Sequence, residues 1–236
     1  MCTVTIVPLE DGFRLACNRD EQRSRAEAIP PRVRSPREKS AIFPVDPVSG
    51  GTWVGANHAG LAATLLNRTA GAVEPGRRAA CSRGLIVPPL LAHESLGHAL
   101  DAADAIDASS FEPFRLVLIH GSTFGLVTSD GHRLATTISR MTVPLLFTSS
   151  SLGDALVEEP RRRLFEQLTV EDKGAWLRAQ FRFHRHQWPA RTDISVSMER
   201  SDARTVSRTV IDVGSQAIEL GYEPVGSAAP LAARTA

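Results

Sequence analysis

"MCTVTIVPLEDGFRLACNRDEQRSR" (residues 1–25) is the stretch that decides the fold. Residues 3–8 are β-branched and apolar, Glu10-Asp11-Gly12 carries a hairpin turn signal, and residues 13–17 return as a second strand. A hairpin brings distant residues together by arithmetic. A two-residue loop at Asp11-Gly12 sets Glu10 against Phe13 and Thr3 against Asp20. A four-residue loop over residues 9–12 sets Pro8 against Phe13 and Cys2 against Arg19. Either register places Arg19 and Asp20 within a residue or two of Cys2. The ribbon is therefore expected to bring a thiol, a guanidinium and a carboxylate to one spot.

Cysteine is small enough to permit removal of Met1. Cys2 would then carry a thiol with pKa about 8.5 and an α-amine with pKa about 7.7–8.0 on one residue. Near pH 7–8 the amine can accept the thiol proton, and a nearby arginine favours the thiolate. That is a nucleophile with its own base. Asp20 is expected to hold the amine, and Arg19 to stabilise the thiolate or substrate charge. The plainer alternative stays open: Cys2 as a small strand residue behind a retained Met1, with Arg19 and Asp20 as a surface ion pair of little energetic value.

The rest of the chain sets the frame. With 236 residues, 42% hydrophobic and 22% charged, it has the composition of a globular domain, and a net charge of +1 argues against nucleic-acid binding by bulk charge. Residues 4–8 are too short for a signal-peptide core, and no run approaches the roughly 20 apolar residues that span a bilayer. Cys2, Cys17 and Cys81 are odd in number and suggest no disulfide framework, which fits a cytoplasmic protein without stable membrane insertion. Cys17, behind Leu15-Ala16, reads as core, and Cys81 as a bystander in a polar loop. No CxxC or HExxH occurs, so neither a metal nor another cofactor is expected.

Residues 23–39 read as loop. Strands are expected at 53–56, 61–66, 114–120, 123–128, 132–138, 145–148, 194–198, 203–212 and 216–220. Helices are expected at 83–104 behind a Ser82 cap, with Pro88-Pro89 kinking or delaying it, and at 154–168 and 170–183. Strands at both ends with helices between predict an α+β protein of antiparallel sheets with segregated helices. One domain over residues 1–225 is expected, with 226–236 a frayed tail.

Cys2, "NRDE" at 18–21, "GGTW" at 50–53, "GLAATLLNR" at 60–68 and "SRG" at 82–84 together resemble the NRDE family, which includes the eukaryotic transport and Golgi organisation protein 2. "LGDALVEEP" at 152–160 and "ART" at 203–205 extend the likeness weakly. The opening is similar to that of N-terminal-nucleophile (Ntn) hydrolases of the penicillin acylase and bile-salt hydrolase kind. The resemblance implies a four-layer αββα sandwich and cleavage of a non-peptide amide (C–N) bond by Cys2. It implies catalytic roles for Arg19, Asp20 and Asn67, the last as an oxyanion donor; a strand-ending turn is the other reading of Asn67. It implies Asn18, Trp53, Asp154 and Arg204 as substrate-binding groups. Trp53 is also expected to pack near the site, its flanking glycines letting backbones approach. Gly153-Asp154 replaces the family's Ser-Asn, so Asp154 either caps a helix or alters the chemistry. The implied ligand is a small molecule, an acyl amide or haem. The alternative function is a non-catalytic haem- or lipid-binding protein on the same scaffold. Substrate specificity is expected in loops at 23–39 and 70–80, and the sequence leaves oligomeric state open.

Overall fold

The structure, a computed structural model, describes residues 2–69, 79–170, 173–215, 217–226 and 231–235. Strands β1 (Cys2–Leu9) and β2 (Gly12–Gln22) form the expected hairpin. Leu9 lies opposite Gly12, Pro8 opposite Phe13 and Cys2 opposite Arg19. This is the second of the two expected registers, with pairing running on until only Glu10 and Asp11 remain in the turn. Gly12 has φ +148°, and a Cβ there would sit 1.9 Å from the Val213 carbonyl oxygen. Only glycine lets the neighbouring strand come that close.

Two antiparallel sheets follow. The first joins the hairpin to β10 (Leu145–Thr148), β11 (Ala203–Val213), β12 (Ile218–Pro224) and β13 (Leu231–Thr235), in the order β10-β1-β2-β11-β12-β13. The second runs in chain order through β3 (Ile29–Arg34), β4 (Ala41–Val45), β5 (Val54–Asn57), β6 (Leu61–Asn67), β7 (Phe114–His120), β8 (Thr123–Ser129) and β9 (Leu134–Arg140). Val4, Ile6, Phe13 and Leu15 of the first sheet meet Ile42, Val54, Leu66 and Val117 of the second in the central core. Burying side chains of this size contributes roughly 1.5–3 kcal/mol each.

Helices α1 (Val87–Leu90) and α2 (Leu96–Asp104) cover the outer face of the second sheet, where Leu90, Leu91 and Leu100 pack on Phe43, Leu61 and Leu118. Helices α3 (Asp154–Thr169) and α4 (Trp176–Arg185) cover the first sheet and meet through Phe165 and Phe183, 5.0 Å between ring centroids. The result is the expected α+β, four-layer αββα sandwich. No helix among the described residues is long and apolar enough to cross a membrane.

Four local expectations need correction. Residues 23–39 are not all loop: β3 lies within them and forms an edge of its sheet, where Pro30 and Pro31 are tolerated because one side needs no ladder donors. The single helix at 83–104 is broken into a 3-10 turn (Arg83–Leu85), α1 and α2; Ser95, not Ser82, caps the longer helix through its hydroxyl, which accepts from the His98 N–H at 3.3 Å. Residues 194–198 are irregular rather than strand, because their carbonyls are taken by side chains: Ile194 and Ser195 by Arg161, and Val196 by Asn18. The tail is not wholly frayed, since β13 pairs with β12, Leu231 opposite Tyr222. Residues 70–78 of the expected specificity loop lie outside the described residues, as does Met1.

Candidate active site

The period of two along a strand splits the NRDE stretch between two faces. Arg19 and Glu21 line a cleft of about 580 Å³ that also takes in Cys2, Trp53, Asn67 and Arg83. Asn18 and Asp20 point to the other face, into the layer of α3 and α4. The cleft lies at the end of the sheet pair where β1, β2 and β6 meet the loops around Asp46 and Arg83.

Cys2 is only 4% exposed, yet it borders this cleft. Its backbone is pinned by Ser149: the Cys2 N–H donates to the Ser149 hydroxyl at 3.1 Å, and the Ser149 N–H donates to the Cys2 carbonyl at 3.0 Å. The thiol pKa lies below its ordinary value. A hydrogen bond with the Cys17 thiol is the largest cause; burial opposes it, Asp20 opposes it, and the charge of Arg19 assists it. Burial pushes the Cys17 thiol well up, so it keeps its proton; its sulfur lies 3.7 Å from the Asn18 carbonyl, to which it donates. Cys17 is core, as expected, but it is also the nearest modulator of Cys2. The signal was available: Cys17 shares a face with Arg19, two residues on.

Arg19 is nine-tenths buried. Its guanidinium lies 4.3 Å from the centre of the Trp53 ring, pairs with Asp46 through a short contact, and reaches Glu21 at 3.4 Å. Arg25 joins the same carboxylates, at 2.8 Å to Asp46 and 3.6 Å to Glu21. Burial raises the Asp46 pKa, but Arg25, the Ser49 N–H and Arg19 outweigh it and hold the carboxyl below its ordinary range. Sequence reading missed Asp46, since no local pattern ties it to residues some twenty positions earlier.

Asn67 ends β6 half-buried on the cleft wall, and its carboxamide makes no hydrogen bond among the described residues. Trp53 is 7% exposed, and its indole N–H is buried without a partner among the described residues. The expected glycine contact is present: a Cβ on Gly51 would lie 2.3 Å from the Gly84 carbonyl carbon, and the Thr52 N–H donates to the Gly84 carbonyl at 2.9 Å. That contact brings "GGTW" and "SRG" together and fixes Arg83 in the cleft, a position the motif spacing alone did not reveal.

The remaining expected residues stand elsewhere. Asn18 does not line the cleft: its amide donates to the His184 and Val196 carbonyls, both at 2.9 Å, and its oxygen meets His184 Nδ1 at 2.9 Å. Asp20 is buried on that same face and accepts from the Thr205 hydroxyl at 2.6 Å; burial raises its pKa. Asp154 is a clamp, accepting from the Ser150 N–H at 3.0 Å, the Thr69 N–H at 3.3 Å and Arg115 at 2.9 Å. It is absent from the cleft wall, so its charge does not face an oxyanion there. Arg204 lines an adjoining cavity of about 560 Å³ that shares Arg19, Glu21 and Arg25 with the first.

Comparison with solved structures gives the same architecture. Penicillin V acylase from Agrobacterium tumefaciens superposes with a TM-score of 0.58 at 13% identity, covering 98% of this chain and 85% of that one. The Caenorhabditis elegans N-acylethanolamine-hydrolyzing acid amidase ortholog gives 0.58 at 14% identity, covering 91% and 94%. A mutant conjugated bile acid hydrolase from Clostridium perfringens gives 0.55 at 11% identity, covering 99% and 92%. At these identities the likeness concerns the fold, which is that of the Ntn hydrolases. No curated protein sequence matches the chain. The profile of one family, Transport and Golgi organisation 2, matches residues 1–177, three-quarters of the sequence, and the chain belongs to that family.

Proposed function

We propose that this protein is an N-terminal cysteine hydrolase of a non-peptide amide bond. The observation that carries the reading is one cleft lined both by Cys2 and by Asn67, whose carboxamide is uncommitted among the described residues; the direction of the Cys2 thiol pKa, below its ordinary value, agrees with it. Its neighbours in fold are named as an acylase, an acid amidase and a conjugated bile acid hydrolase, which supports the reaction class.

With Met1 removed, the α-amine of Cys2 takes the thiol proton. The thiolate sulfur then bonds to the amide carbon, and the carbonyl electrons move onto oxygen. The Asn67 N–H donates to that oxyanion, a contribution of about 3–4 kcal/mol in comparable sites. Collapse breaks the C–N bond, and the leaving amine takes its proton from the α-ammonium. Water, deprotonated by the same amine, hydrolyses the thioester and restores the thiol. Asp20, buried behind the ribbon against the Thr205 hydroxyl, is assigned to hold that amine through its charge. Arg19, tied to Asp46 and Glu21, acts on the thiolate through its field rather than by moving.

The test is release of free amine from a panel of N-acyl amides by wild type and by Cys2→Ala. Turnover lost in the variant supports the reading. Saturable haem binding by both proteins with no amine released by either contradicts it and favours a carrier.

A further inference from the structure

Among the described residues three guanidinium groups border the Cys2 cleft, and they are not equivalent. Arg19 and Arg25 both pair with Asp46 and both reach Glu21, so two cations meet two carboxylates. Asp46 is held further by the N–H groups of Val48 at 2.9 Å and Ser49 at 3.1 Å. That cluster is electrically closed and has no deficit for a ligand to fill.

Arg83 is open. Its Nη1 donates to the Pro113 carbonyl at 2.9 Å, and no carboxylate of the described residues lies within 4.0 Å of it. Glu112 borders the same cleft and acts on Arg83 only at longer range, with one of its oxygens occupied by the Ala79 N–H at 3.2 Å. Burial lowers the Arg83 pKa, so its charge carries a desolvation cost without a close counter-ion. A guanidinium has five N–H donors in a rigid fork, and here one meets a carbonyl. The Gly51–Gly84 contact fixes the backbone that carries this fork, and the Pro113 carbonyl orients it in the cleft that Cys2 also borders.

We infer that Arg83 is a specificity-determining residue: it pairs with an oxyanion carried by the substrate, so the preferred amides bear a carboxylate or phosphate near the scissile bond. The inference rests on the proposed cleft of Cys2 and Asn67 as the place where substrate binds. A planar fork fits either anion in bidentate fashion. Glu112 works against such a ligand and limits its affinity.

Binding is measured by calorimetry on Cys2→Ala protein, which separates recognition from turnover. The ligands are N-dodecanoylglycine, its phosphate counterpart N-dodecanoyl-phosphoethanolamine, and uncharged N-dodecanoylethanolamine. At least one charged amide is expected to bind about tenfold tighter or more than the uncharged one, the scale of a charge-assisted hydrogen bond. Which charged amide binds tighter identifies the group. Added Arg83→Met is expected to erase the preference, Arg83→Lys to keep part of it, and Glu112→Gln to increase it. These opposite directions are not those of a general loss of structure, and the lysine and glutamine variants serve if the methionine variant does not fold. The inference is overturned if neither charged amide outbinds the uncharged one, or if the preference survives in Arg83→Met. Charge preference without wild-type amide turnover leaves Arg83 in its role and removes the hydrolase reading; turnover with no Arg83-dependent preference does the reverse.

Discussion

The two faces of the β1–β2 ribbon do different work with residues that alternate in sequence. The inner face carries Cys2, Cys17, Arg19 and Glu21, and its last turns open onto a cleft. The outer face carries Thr3, Thr5, Asn18 and Asp20, all buried under α3 and α4. There the polar groups satisfy one another. Gln180 donates to the Thr5 hydroxyl at 2.9 Å, and Thr5 meets His184 Nε2 at 2.7 Å. His184 Nδ1 meets the Asn18 oxygen, while Arg161 donates to the hydroxyls of Thr3 at 2.8 Å and Thr148 at 2.6 Å. The outer face is a closed network that positions the ribbon, whereas the cleft onto which the inner face opens keeps, among the described residues, Asn67 of β6 and Arg83 of the 3-10 turn with donors to spare. Uncommitted polar groups at a cleft mark recognition; fully committed ones under a helix layer mark structure.

That contrast orders the expected effects. Cys2→Ala, on the inner face, should lower amide turnover by at least about a thousandfold, the scale for loss of a nucleophile, with the urea midpoint nearly unchanged. Asn18→Ala, on the outer face, should do the opposite. Removing its amide leaves two buried carbonyls and an imidazole short of partners, for a loss of about 3 kcal/mol in urea melts. Turnover per folded molecule should stay within about threefold, since Asn18 touches nothing in the cleft. A larger loss of turnover in Asn18→Ala than in Cys2→Ala would dissolve the comparison.

His184 sharpens it through pH. Burial lowers its pKa to about 3, from an unfolded value near 6.5. Between those two values the unfolded chain binds more protons than the folded one. Stability therefore falls as pH falls through that window, by up to about 1.4 kcal/mol per unit, and His184 adds no dependence above it. Urea melts at pH 7, 6 and 5 should show this slope, and His184→Gln should flatten it. The smallest effect belongs to Cys17→Ala. Loss of its thiol should raise the Cys2 pKa, so the pH profile for alkylation of Cys2 moves toward alkaline values. An unmoved profile would assign the lowered thiol pKa to another cause.

Much of the fold was legible because its local signals were strong. The Asp11-Gly12 turn and the β-branched run before it specified the hairpin, and Gly121 and Asp130-Gly131 punctuated the meander β7–β9. What failed depended on distant partners. β4, "AIFPV", gave no clean alternation because both its faces are buried. Residues 194–198 have strand-like composition but lose their carbonyls to Arg161 and Asn18. Grouping Arg19 with Asp20 overlooked the alternation of strand side chains, which sends them to opposite faces. Asp46 and Arg83 reach the cleft through loop–loop contacts such as Gly51 against Gly84, and no spacing rule announces those.

The central claim is that residue 2 carries the reactive thiol of the mature chain. Brief treatment of the purified protein with limiting iodoacetamide near pH 7, followed by intact-mass and peptide mapping, tests it in one measurement. Cys81 is exposed, while Cys2 and Cys17 are buried, so exposure alone predicts label on Cys81. The account predicts a chain lacking Met1 with its first adduct on Cys2. A chain that retains Met1, or one whose label falls first on Cys81, would contradict it.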